Sequence, residues 1–138
     1  MRIFMRQTLC LGFLAVSLFA VAGTAAAHHS FSAFDTATQK TVTGTVKRVD
    51  WTNPHIWIWI DVANDKGGAD TYGFEGMSPN YLNRRGWTRT TLKSGDKVTV
   101  VFRPLRDGKN GGMFMNGKMS NGKVLTMGGA TDGEPAQR

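Results

Sequence analysis

The side chains of this sequence best suited to chemistry are its three histidines, His28, His29 and His55, and the alternate methionines Met113 and Met115. Imidazole suits Cu(II), which prefers tetragonal nitrogen coordination, and thioethers select Cu(I). His28 and His29 follow directly on Ala25-Ala26-Ala27. Upstream, Arg2 and Arg6 give a basic start, and residues 9–21 form a largely apolar run without charges. That order reads as a secretory signal peptide, residues 1–27, with small residues before the cut. The apolar run is too short to cross a bilayer comfortably. Cleavage after Ala27 makes His28 the first residue, so its free amine and imidazole chelate one ion together. His29 or His55 then completes a T-shaped copper site. Cleavage one residue earlier gives Ala27-His28-His29, which takes Cu(II) or Ni(II) in a square plane through the amine, two backbone nitrogens and an imidazole. The plainer alternative is a pair of polar residues trailing from the cut.

Composition narrows the chemistry further. Cys10, the one cysteine, lies inside the signal, so the mature chain has neither thiol nor disulfide. The preceding Gln7-Thr8-Leu9 lacks the small residue that a lipoprotein cut requires. Removal of the signal leaves 111 residues and lowers the net charge from +7 to +5. That length builds one modest core and not two domains. The basic residues are scattered apart from Arg84-Arg85, and nucleic acid is not the expected partner outside the cytoplasm. No serine sits in a Gly-x-Ser-x-Gly context. Asp61 and Glu75 fall on strands that can be neighbours, but two carboxylates without a pocket do not make acid–base machinery. The expectation is a binding protein, not an enzyme.

The elements that must hold these residues are mostly strands. A polar arm, residues 28–40, carries two aromatic anchors, Phe31 and Phe34. Residues 41–49 alternate Val42, Gly44 and Val46 against Thr43, Thr45 and Lys47, the period of a half-buried strand. Gly44 within it implies a bend or bulge. After the Asn53-Pro54 turn, Ile56, Ile58, Ile60 and Val62 share one face, and His55, Trp57, Trp59 and Asp61 the other. A third strand is expected at 71–75 and a short helix at 79–85, with Ser78 as N-cap and Gly86 as stop. Val98, Val100 and Phe102 mark a fourth strand, residues 113–119 a fifth and 123–127 a short sixth. By parity Met119 shares the face of Met113 and Met115. The barrel domain spans 41–127, and the small, polar stretch 128–138 reads as a disordered tail. Three strands, a helix, then two or three strands is the order of an all-β, five- to six-stranded Greek-key barrel of the OB type.

Isoleucines fill the barrel, so Trp57 and Trp59 lie outside and need a cover. Either Phe31 and Phe34 of the arm supply it or a ligand does. Cover by the arm would carry His28 and His29 towards His55 and make one shared site. Methionines at alternate strand positions serve as core filler unless a metal engages them. Small periplasmic copper and silver metallochaperones are OB barrels with a Met-x-Met strand, a histidine and a tryptophan, and this chain is similar in those ingredients. Arg84, Arg85 and Arg89 near the helix end either bind an anion or complement the helix C-terminus.

The motifs His28-His29-Ser30-Phe31 with Phe34-Asp35, Thr43-Gly44-Thr45-Val46, Trp51-Thr52-Asn53-Pro54-His55, Ser78-Pro79-Asn80 with Arg84-Arg85-Gly86-Trp87, and Leu105-Arg106-Asp107-Gly108 occur in this order. In these the chain resembles small exported proteobacterial proteins catalogued as a domain of unknown function. The resemblance implies a secreted single-domain β-barrel and brings no catalytic residue, cofactor or site. The expectation is therefore a monomeric periplasmic copper carrier or buffer that meets metal-handling or envelope proteins. Its metal ligands would be His28, His29, His55, Met113 and Met115. The alternative is a structural or ligand-binding module that recognises an envelope partner or glycan through Trp57 and Trp59, with Arg84 and Arg85.

Overall fold

Among the described residues, the alternations after the arm become seven strands and one short helix. The computed structural model describes residues 32–127 and 129–131. Its elements are β1 (Lys40–Asp50), β2 (Trp57–Ala63), β3 (Ala69–Glu75), α1 (Pro79–Asn83), β4 (Lys97–Pro104), β5 (Gly111–Met119), β6 (Val124–Thr126) and β7 (Gly129–Thr131). Strand β1 pairs antiparallel with β2 and β4, β2 with β3, and β4 with β5. The ring closes where the start of β5 runs parallel to the end of β3, placing Gly73 beside Gly111 and Glu75 beside Met113. The result is a closed barrel in the order β1-β2-β3-β5-β4 with α1 between β3 and β4, as expected for an OB-type barrel. Strand β6 adds to the far half of β5, and β7 adds to β6. Strand β7 falls within the stretch 128–138 read from sequence as a tail. It pairs with β6, and the sequence Gly129-Ala130-Thr131 has no apolar alternation to announce it.

The barrel interior takes Val46, Ile58, Ile60, Phe74, Val100 and Phe114, all buried. Each such side chain contributes about 1.5–3 kcal/mol by leaving water. Helix α1 begins where Ser78 Oγ accepts the Tyr81 N–H, with Pro79 in its first turn. It ends at Asn83, two residues short of the expected 79–85. The chain is already turning there: Gly86 has φ +84°, and the Trp87 N–H donates to the Leu82 carbonyl. Leu82 and Trp87 are both buried, and Trp87 stands edge-on to Phe114 and donates its indole N–H to the Thr126 carbonyl. Among the described residues no helix is long and apolar enough to cross a membrane.

Two bulges set which residues face out, and neither sits where the sequence placed one. Gly44 is not bulged. A Cβ there would stand 2.5 Å from the Asp61 carbonyl oxygen, so glycine serves the close approach of β2. The register shift of β1 comes later, between Val46 and Arg48. In β5 the pairing passes from Val101 opposite Asn116 to Phe102 opposite Phe114, which leaves Met115 as the extra residue. A bulge reverses the alternation beyond it. Met113 therefore stays on the outer wall, while Met119 packs against the core. The three methionines do not share a face.

Candidate functional site

Strand register lines up four half-buried side chains across the outer wall. Trp57 of β2 stands opposite Glu75 of β3, Glu75 beside Met113 of β5, and Met113 opposite Arg103 of β4. Paired residues point to the same side of a sheet, so this is one continuous row. His55 joins it from the loop before β2. The Ile56 N–H donates to the Met77 carbonyl, and the Gly76 N–H donates to that of Ile56. These two bonds prolong the β2–β3 pairing and bring the imidazole to Glu75, where His55 Nδ1 contacts Glu75 Oε1. The Glu75 carboxyl is mostly covered, with 15% of its side chain exposed against 36% for His55. With Nδ1 engaged, Nε2 is the nitrogen left to a ligand. A carboxylate on the far nitrogen fixes the ring and makes it a better donor to metal. At the other end of the row, Arg103 Nε is buried without a hydrogen-bond partner.

The tryptophans are covered from within the barrel wall. Trp57 and Trp59 stack with centroids 5.7 Å apart and planes 21° apart. Trp59 lies on Gly73, the Arg48 guanidinium sits 4.6 Å from its ring centre, and its indole N–H donates to Asp50 at 2.7 Å. The expected cover by the arm is corrected for Phe34. That ring is buried, but its backbone bridges to Leu105, the Asp35 N–H donates to the Pro104 carbonyl, and the Arg106 N–H donates to that of Ala33. Phe31 lies outside the described residues.

The other expected site residues disperse. His28 and His29 lie outside the described residues. Met115 occupies the β5 bulge, half-buried, two positions beyond Met113. Arg84 and Arg85 are exposed at the end of α1. Arg85 lies 3.6 Å over the Tyr81 ring, and its Nη1 points to the Tyr81 carbonyl, so it serves the helix end. Among the described residues no hydrogen bond, ion pair or cation–π contact joins either arginine to Trp57 or Trp59. Asp61 and Glu75 do lie on neighbouring strands, but Asp61 stands opposite Thr71, four positions from Glu75. That separates them by roughly 13 Å along the strand. Asp61 accepts from the Thr71 hydroxyl at 2.6 Å and pairs with Lys47, and the Thr71 bond foremost holds its carboxyl below the ordinary range. Among the described residues no three His, Cys, Asp or Glu side chains are placed to hold one metal ion.

Compared with known families, residues 15–116 match a family of unknown function, DUF6152. The chain belongs to this family. The DUF6152 match includes every residue of the row from Trp57 to Arg103 and Met113, along with His55, and it stops short of Met119. The family description assigns no activity. No curated protein and no solved structure matches the chain.

Sequence reasoning missed two members of the site, Glu75 as the partner of His55 and Arg103 as the end of the row. Twenty residues separate His55 from Glu75, and only the β2–β3 register unites them. Arg103 needed the β4–β5 register in the same way.

Proposed function

We propose that this protein is an exported, periplasmic binding protein for copper, a carrier or buffer and not an enzyme. The observation that supports it best is the contact of His55 Nδ1 with Glu75, which leaves Nε2 for a metal. Met113 neighbours Glu75 on the β5 side, so the carboxylate that touches the imidazole also stands beside a soft thioether side chain. An imidazole with a thioether favours Cu(I) over harder ions. Trp57, on the other side of Glu75, offers an aromatic face to a bound cation. In an OB barrel, the face of strands 2 and 3 and the loops at its ends are where ligands bind, and His55, Trp57 and Glu75, at one end of the row, lie there. His28 and His29 would offer nitrogen donors of their own at the mature terminus.

The test is a Cu(I) titration against a competing chelator, on protein processed by its own signal and with its N-terminus read by intact mass. Stoichiometric binding weakened by both His55→Ala and Met113→Leu supports the proposal. Binding that survives both changes but is lost in His28→Ala reduces it to a chelate of the terminus. No binding by the processed protein discards copper.

A second reading rests on the stacked tryptophans. Trp57 and Trp59 are both half-buried and stacked, an aromatic platform suited to a sugar ring or a partner's side chain. On this reading Trp57→Ala abolishes association with an envelope glycan or protein, and copper has no effect.

A further inference from the structure

The barrel has an open end on which the copper reading makes no demand. Val42 of β1, Tyr72 of β3 and Phe102 of β4 form the floor of a cavity of 270 Å³ there, and Lys40 with the loop 104–111 forms its rim. Tyr72 meets Phe102 edge-on, with centroids 6.4 Å apart and planes at 73°. Phe102 is buried beneath it, so Tyr72 and Val42 are the side chains the floor leaves partly open. An apolar cavity of about 150 Å³ admits benzene, so this one has room for a single substituted ring and not for two side by side.

The polar groups around it are unevenly satisfied. Lys109 is held by Asp107, whose carboxylate takes both the Lys109 ammonium and its backbone N–H at 3.0 Å. In the adjoining hollow Arg106 faces Asp35 and helps hold that carboxyl below its ordinary range, behind the hydrogen bonds from Thr38 and Ala37. Two acids thus answer two of the cations. The Lys40 ammonium has no ion pair or hydrogen bond among the described residues, and neither has the Tyr72 hydroxyl. A free ammonium and a free phenol above an apolar floor are complementary to one chemistry. We infer that this end of the barrel binds a small aromatic carboxylate. Its ring would pack against Val42 and the edge of Tyr72, and its carboxylate would reach Lys40 and the Tyr72 hydroxyl.

The experiment is a two-dimensional NMR titration of the full chain with benzoate, with benzyl alcohol as the uncharged control. Saturable shifts confined to Lys40, Tyr72 and the amides of the 104–111 loop are the expected result, with benzyl alcohol binding more weakly. A charge-assisted hydrogen bond is worth about tenfold in affinity, so Lys40→Gln should weaken benzoate by about that factor. Tyr72→Phe keeps the ring in place and should weaken it less. Lys40 is exposed at the start of β1, so its replacement leaves the core untouched. Three results would overturn the inference: no saturable shift, equal affinity for benzyl alcohol, or shifts centred on Trp57 and Glu75.

Discussion

Trp59 fills the space that a side chain at position 73 would need. A Cβ on Gly73 would stand 2.6 Å from Trp59 Cζ3. Gly73→Ala must lift the indole from β3 and disturb its stack on Trp57 and its bond to Asp50. Overpacking of this kind costs about 1–3 kcal/mol. Urea unfolding should show that loss together with a shifted tryptophan emission, and unchanged stability would mean that the ring moves freely.

Glu75→Gln should separate positioning from ligation. The amide keeps the shape of the side chain but gives His55 Nδ1 a weaker partner. Loss of such a supporting group costs about 10–100-fold in metal affinity. The expected outcome is a Cu(I) affinity about tenfold lower with the fold intact by circular dichroism. An affinity equal to that of the unaltered protein would remove Glu75 from the site.

The β5 bulge makes Met113 and Met119 inequivalent, and a paired substitution reads this directly. Met119→Leu is a near volume-conserving change against the core and should alter stability by less than about 1.5 kcal/mol. It should leave copper binding as it was. Met113→Leu should do the reverse, sparing stability and lowering Cu(I) affinity. Equal effects on copper would mean that the two sulfurs share a face after all.

Asp61 gives a pH signature. The Thr71 hydroxyl, and after it Lys47, holds its folded-state carboxyl below the ordinary value of 3.8. The folded state therefore favours the ionised form. The contribution is fully present above that ordinary value and fades as pH falls through the lowered one. Asp61→Asn should flatten the acid limb of a stability–pH curve below about pH 4 and leave its neutral region nearly unchanged. An acid limb as steep as before would assign the dependence to other carboxylates.

The sequence displayed what repeats and hid what depends on partners. Period-two alternation located Ile56, Ile58 and Ile60 as inward residues, and all three are buried. Ser78, Pro79 and Gly86 announced α1 through local chemistry, and the Asn121-Gly122 turn between β5 and β6 was equally plain. The register shift at Met115 was not legible, because a bulge is a mismatch between two strands and β5 alone does not show it. The same holds for the meeting of His55 with Glu75. Phe34 announced an apolar anchor but not its site, since Leu105 lies some seventy residues further along.

The parallel contact of β3 with β5 also decides when the fold can exist. Until residues 111–113 emerge, β3 and β4 are both bare edges, each offering unpaired backbone to any neighbouring chain. Contacts so distant in sequence form late and slowly. A chain cut short before Gly111 would hold most of the apolar core with no means of sealing it, and should aggregate where the complete chain stays dispersed. Self-sealing is thus conferred by about the final fifth of the polypeptide, and the nascent barrel needs protection until it arrives.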